Sequence, residues 1–534
     1  MRSDEGRMLR WIAVAVAAAG LALGQGLVLK SEARLVEVPV VVVDKKTGRT
    51  VGDLSVGDFQ VFEGGKAQRI EFFSVHSTAA VSAVGDSHAV STEGHRWQSP
   101  GVRGGVSNRR RMGADAAPVV TILIDGYNAR YEEQYYAAKA AADVILREER
   151  RAQWGVYFLG PHGLRVIHDY TEDAGSVAAR LRGLRAPGDA AMGIGFEADD
   201  RGQREVANAA ARFPAVDSTG EIRMRIQTTL GALRDIGRHL GALPGRKSLV
   251  WMTAGVSLQQ IVAVLPEWWK DTLNTLNDGN VAVYAIDSAG VRTSAGNLAE
   301  RPTRSLTLRP AAGSGFGMTG VMFGVAESTG GRAYVNTNDL GKSVTRALND
   351  SQTFYRLAYR PVHGRWDGRY LRIQVKVPGR RGVEVRHRQG YFAREAGGVE
   401  PARVDRMLAE AVASPLEAVD VGLTVELKAV EGSKKKLLVV TADPLSVSLE
   451  ERRWRFGGKF YVRCVQLGVD GGVKQDFTDE VKLDLEASDA RRTVEEGFRY
   501  RKEVEMEAGA VTMKVAFCDE GSGRLGSVRV ALGN

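Results

Sequence analysis

Few residues in this chain are of a type and spacing that could do chemistry. Asp125 closes the apolar run PVVTILID and is followed by Gly126, Tyr127 and Asn128, while Thr253 closes a second run, KSLVWMT, ahead of Ala254 and Gly255. A carboxylate at a strand end has two uses. It can cap the following turn through its oxygens, or it can face a ligand, because open α/β sheets bind beyond the carboxyl ends of their strands. Tyr127 has two readings as well: an exposed anchor for a partner, since aromatics are enriched at interface hot spots, or packing against a neighbouring loop. Trp251 lies inside its run and is expected in the core. Gly315 to Gly320 spells G-x-G-x-x-G, but it follows LTLRPAAGS instead of a clean strand and reads as a flexible loop. LGKS at 340–343 imitates the end of a P-loop and fails, because Asn336 stands where the opening glycine is required. The chain lacks H-E-x-x-H, G-x-S-x-G and Cys-x-x-Cys, and its eight histidines are scattered without metal spacing. A triad assembled only in space would leave no such trace; the motifs themselves point away from an enzyme.

The elements that would position these residues follow from patterning. PVVTILID, KSLVWMTAG and NVAVYAID are fully apolar runs, as expected of central strands covered on both faces. Helices are predicted at 132–150, 172–184, about 218–242, 259–277 and 339–350; in the third, Ile222, Ile226, Leu230, Leu233, Ile236 and Leu240 share one face. WGVYFLG and LRVIHDYT, joined by PHG, predict a hairpin that adds one antiparallel strand. This alternation over 117–360 gives a doubly wound, mostly parallel α/β sheet. Flanking it, 30–76 alternates as a small β module, 77–116 reads as a linker, 361–396 as a β-hairpin extension, and 400–534 as a β-sandwich of short alternating strands.

At 534 residues the chain is long enough for about three domains. Its start, MRSDEGRMLR, runs into an apolar stretch at 11–23 and a small-residue exit at 24–26, the order of a cleaved secretory signal over 1–26. The apolar stretch is short of the roughly 20 residues needed to span a bilayer. The mature protein is therefore expected outside the cytoplasm, secreted, periplasmic or at the cell surface, with no stable transmembrane segment. Cys464 and Cys518 both lie in strand-like runs, and either a disulfide or two buried thiols fits them. The net charge of +9 is spread out, with short clusters at 109–111, 380–381 and 434–436 that read as solvated charge, so no nucleic-acid partner is expected.

The central block resembles the von Willebrand factor A (VWA) fold, and more specifically the VWA-related family abundant in Acidobacteria. The matching segments run in order over about 35–395: VEVPVVVVDKKTG, DLSVGDFQVFEGGKAQRIEFFS, ILIDGYN, LPGRKSLVWMTAGV, VAVYAIDSAG, VAESTGGRAYVNTNDL, FYRLAYRP, RYLRIQVKV and GYFAR. The resemblance implies a metal-ion-dependent adhesion site built from a D-x-S-x-S loop, a threonine and a further aspartate, holding Mg²⁺ or Mn²⁺ through hard oxygen ligands. Here the first loop reads Asp125-Gly126-Tyr127-Asn128-Ala129 and the third Thr253-Ala254-Gly255. Both serines and one aspartate are missing, so Asp125 is left as the single carboxylate and no cofactor is expected to be retained. The resulting expectation is an exported, non-enzymatic binding or adhesion protein whose VWA-like loops at Tyr127, Asn128 and Thr253 hold a protein ligand. A cryptic hydrolase with two converging carboxylates and a self-assembling envelope protein are the alternatives, and the oligomeric state stays open.

Overall fold

The computed structural model describes residues 35–77, 105–109, 117–148, 152–184, 219–241, 243, 245–256, 258–291, 319–362, 366–393, 398–433, 435–452 and 454–532. The predicted signal, the insertion at 185–216 and the glycine-rich segment at 315–318 lie outside them. Among the described residues no helix is long and apolar enough to cross a membrane.

The chain opens with four strands, β1 (Val36–Asp44), β2 (Gln60–Glu63), β3 (Lys66–Gln68) and β4 (Ile70–Ser77), followed by a two-residue strand β5 (Val106–Ser107). The α/β unit contains β6 (Val119–Asp125), α1 (Tyr131–Arg147), the hairpin β7 (Gln153–Gly160) and β8 (Gly163–Thr171), α2 (Ala174–Arg182), α3 (Thr219–Leu240) and β9 (Lys247–Thr253). It continues through α4 (Leu258–Val264), α5 (Pro266–Asp278), β10 (Val281–Asp287), α6 (Gly320–Thr329), β11 (Arg332–Tyr334) and α7 (Leu340–Asp350). Its six strands lie in the order β11-β10-β9-β6-β7-β8, parallel except where β8 turns back on β7.

Two cores cover this sheet. On one face Leu123, Trp251 and Val283 pack with α3, α4, α5 and α6; on the other Ile122, Val250 and Tyr284 pack with α1, α2 and α7. The apolar runs are continuous because each residue of β6, β9 and β10 is buried on one face or the other. The predicted helix at 259–277 is two helices, since Pro266 occupies the first turn of α5 and cannot extend α4. Chain order runs outward from β6 to β7 and β8, then from β9 outward to β10 and β11. The order therefore reverses between β6 and β9, whose following helices α1 and α4 pack on opposite faces of the sheet.

The segment FYRLAYRP does not extend the α/β sheet. As β12 (Thr353–Tyr359) it runs antiparallel between β1 and β4, with β14 (Val383–His387) on the far side of β1. β13 (Tyr370–Lys376) and β15 (Gly390–Phe392) join β2 and β3 in a facing sheet. Val38, Val40, Phe59, Val61, Tyr355, Leu357 and Ile373 fill the space between. Strands read from sequence as an N-terminal module, the end of the α/β block and a hairpin extension are thus strands of one sandwich. Periodicity identifies a strand but not its partner.

The C-terminal part begins with a helix absent from the sequence reading, α8 (Pro401–Ala413), and continues through β16 (Leu423–Ala429), β17 (Lys435–Ala442), β18 (Glu450–Arg452), β19 (Arg455–Gly468), β20 (Val473–Glu486), a second unforeseen helix α9 (Ala487–Glu496), β21 (Phe498–Glu505), β22 (Ala510–Asp519) and β23 (Leu525–Ala531). Two sheets enclose a core of Val440, Phe460, Val462, Phe498 and Phe517, and α8 lies on the outer face of one of them. Part of the expected linker is docked here: β5 pairs with β16, and Arg109, read as solvated, contacts buried Asp443. Cys464 faces the sandwich interior and Cys518 faces α8, and the register sets Cys464 opposite Val515 and Tyr461 opposite Cys518. The thiols are free and buried on opposite faces of the sheet, which decides between the two readings.

Candidate functional site

The reversal point brings three strand ends into one row. Ile124 is the register partner of Met252, so Asp125 and Thr253 end adjacent strands, and Thr253 pairs with Asp287 at the end of β10. The loop between β6 and α1 is fixed locally. Gly126 lies against the Phe158 ring, where a Cβ would collide. The Gln134 side chain donates to the carbonyls of Gly126 (3.1 Å) and Ala129 (2.8 Å), and Glu133 accepts from the Arg130 backbone at 2.7 Å, closing the first turn of α1.

Asp125 is fully buried and its oxygens are taken. Oδ2 accepts from the Thr253 hydroxyl at 2.7 Å, Asn128 Nδ2 at 2.8 Å and Trp251 Nε1 at 3.1 Å. Oδ1 accepts from the Asn128 backbone at 3.0 Å and Asn128 Nδ2 at 3.1 Å. Burial pushes this carboxyl above the ordinary range, and the donors from Asn128, Thr253 and Trp251 pull against that shift. The strand-end carboxylate therefore caps the turn that follows it and ties two parallel strands together.

This set does not fit a divalent cation. An indole N–H, which can only donate, and a carboxamide N–H₂ present hydrogens to the oxygens that a metal would need. Thr253, expected to hold a ligand, is also buried, with its hydroxyl donating to Asp125 and accepting from the Gly255 backbone at 3.0 Å. Its role is support. Trp251 is in the core as expected, and in addition it anchors Asp125.

Of the predicted residues, the structure brings Asp125, Asn128 and Thr253 into one network and sets Tyr127, part-exposed, beside it. Tyr127 packs on the core cluster under α3 and carries Arg225 at 5.7 Å from its ring centroid. Sequence reasoning missed two participants on α3. Thr229 accepts from Asn128 Nδ2 at 2.9 Å and donates to the carbonyl of Arg225 at 2.9 Å. The apolar period of α3 was visible, but nothing in it indicates that the polar residues flanking that face reach a loop 101 positions away.

No protein-family profile matches the chain, and no curated protein matches it. Among solved structures, the chain is similar to an aerotolerance-related membrane protein from Bacteroides fragilis NCTC 9343 carrying multiple mutations to serines. That match has 12% identity and a TM-score of 0.27, and covers 44% of this chain and 98% of that one.

Proposed function

We propose that this chain is an exported, non-enzymatic protein-binding protein, whose VWA-like α/β unit uses the carboxyl edge of its sheet for contact after losing the metal-dependent form of that site. The observation that carries the reading is Asp125. The one carboxylate left from an adhesion-type loop is saturated by internal donors and serves as a brace, while Tyr127 remains part-exposed at the same edge. The signal-like start supports export. The reversal of strand order supports binding at this edge, since ligands of open α/β sheets lie there.

The test has two arms. Titration of the full chain with Mg²⁺ and Mn²⁺ is expected to give no heat, and micromolar binding that disappears in Asp125→Ala would overturn the metal-free reading. Asp125→Ala itself is expected to lower stability by about 3 kcal/mol or more, because three side-chain donors lose a buried acceptor. Envelope extract passed over immobilised protein with EDTA present is expected to yield partners retained by the wild type and lost by Tyr127→Ala. Identical capture by both proteins would sink the contact role of this edge.

A further inference from the structure

A long strand of the C-terminal sandwich is paired on one side only. β20 runs for 14 residues along β19, while β18 and β22 take the opposite edge of β19, so among the described residues no strand lies against the far edge of β20. Such an edge presents a row of backbone donors and acceptors to any extended chain. The side chains of β20 alternate: Asp476, Thr478, Glu480, Lys482 and Asp484 are exposed on the outer face, and Phe477, Val481, Leu483 and Leu485 are partly buried against the sandwich core. The acids are held in place from β19, Asp476 by Arg463 at 2.6 Å, Asp484 by Arg455 at 2.6 Å and Glu480 by Lys459 at 3.3 Å.

This edge is complementary to itself. Two copies joined about a two-fold axis normal to the sheet run antiparallel, and facing residues must share a sheet face, so even positions meet even and odd meet odd. In the register centred on Asp479, Asp476 faces Lys482 and Lys474 faces Asp484, while on the core side Phe477 faces Val481 and Gln475 faces Leu483. One step to either side is repulsive. Centring on Glu480 sets Asp476 against Asp484 and Glu480 against its own copy; centring on Thr478 sets Lys474 against Lys482 and Asp476 against Glu480. Centring on Val481 brings Glu480 to Lys482 but sets Asp476 against Glu486, and registers further out overlap over fewer residues. At the favoured axis the two Asp479 carboxylates meet, each neutralised within its own chain by Lys502 at 2.8 Å and by the Tyr500 hydroxyl at 2.5 Å. Gln466 pairs with Gln475 but Leu467 with Val473, so Lys474 is an extra residue in the ladder with β19; regular pairing across the axis therefore spans Gln475 to Leu483, and Lys474 reaches Asp484 through its long side chain.

We propose that β20 is the interface of a symmetric homodimer, in which two C-terminal sandwiches share one continuous sheet with Asp476 of each copy facing Lys482 of the other. The contact uses up this edge in both copies, so association closes at two instead of growing into fibres. The interface belongs to a different sheet from the carboxyl edge that carries Tyr127, and stands apart from the function proposed for that edge.

Sedimentation velocity of the full chain, from about 1 to about 300 μM, is expected to show monomer passing into dimer with a Kd on the order of tens of micromolar. Lys482→Glu and Asp476→Lys each set like charges against one another on both sides of the axis, and each is expected to weaken the dimer by about tenfold or more. Both positions are exposed, and thermal melts establish that each variant is folded. An equimolar mixture of the two variants restores opposite charges at both places, so a heterodimer of near wild-type affinity is expected from components that stay monomeric alone. Tyr127→Ala is expected to dimerise like the wild type. A wild type that stays monomeric throughout, a single variant that dimerises as well as the wild type, a mixture no more associated than its components, or a dimer lost in Tyr127→Ala overturns the proposal.

Discussion

Two buried charges sit at opposite ends of the central strands, and their surroundings treat them differently. Asp125, at the carboxyl end of β6, accepts from three side chains and a backbone amide. Lys247, at the start of β9, is equally buried, and among the described residues its ammonium donates to the Leu243 carbonyl at 2.8 Å. Burial pushes the Lys247 pKa from its ordinary 10.5 down to about 7, with Glu37 opposing the shift and Arg356 adding to it. Between those values the unfolded chain keeps a proton that the folded chain has released, so stability rises with pH across this window. The slope contributed is at most about 1.4 kcal/mol per pH unit. Urea midpoints of the wild type are expected to climb between pH 7 and 9, and those of Lys247→Met to climb less. Parallel profiles for the two proteins would show that Lys247 is not the source.

At the scale of elements, close approach decides what the chain tolerates. Gly331, in the turn from α6 into β11, lies so near the Val283 carbonyl that a Cβ would strike backbone. Backbone on β10 has no rotamer to retreat into, since β10 is held by β9 on its other side. Gly331→Ala is therefore expected to lose about 2 kcal/mol or more by denaturant titration, and a loss under about 0.5 kcal/mol would mean that β11 is free to shift. The sequence announced such elements unevenly. The runs ending in Asp125, Thr253 and Asp287 were legible because a strand covered on both faces must be apolar throughout. α8 was readable too: Val404, Met407, Leu408 and Ala411, all buried, recur at helical spacing behind Pro401 at the first turn, a signal passed over among surrounding strands. Nothing in the letters of β12 could have announced its partners. The site divides the same way. Asp125 and Asn128 are three residues apart and a capping role could be read locally, whereas Thr229 and Arg225 reach the loop only because α3 packs across the sheet.

At the scale of the whole molecule, the α/β unit is held on two sides by charge pairs that apolar patterning does not reveal. Towards the first sandwich, Arg386 contacts Asp350 at 2.5 Å and Arg332 reaches Glu384 at 3.3 Å, while Asn280 donates to Glu37 at 3.2 Å. Towards the C-terminal sandwich, Arg403 meets Asp271 at 2.5 Å, and Trp268 lies between Arg234 (4.1 Å) and Arg406 (5.5 Å). The first sandwich is itself closed by chain segments some 300 residues apart, as the Tyr355 hydroxyl shows by donating to the Val51 carbonyl at 2.8 Å and accepting from the Leu54 backbone at 3.1 Å. β12 depends on this closure, because both of its neighbours, β1 and β4, come from the first 77 residues. A chain beginning at residue 105 keeps every strand of the α/β sheet but strips β12 of both partners and leaves Tyr355, Leu357 and Tyr359 uncovered. Such a chain exposes an unpaired, strongly apolar strand, the feature that drives edge-to-edge aggregation. It is expected to be recovered as aggregate, and co-expression with residues 35–77 as a separate peptide is expected to restore soluble protein. A truncated chain that stays monomeric in sedimentation and melts at the wild-type temperature would show that the N-terminal strands decorate the fold without closing it.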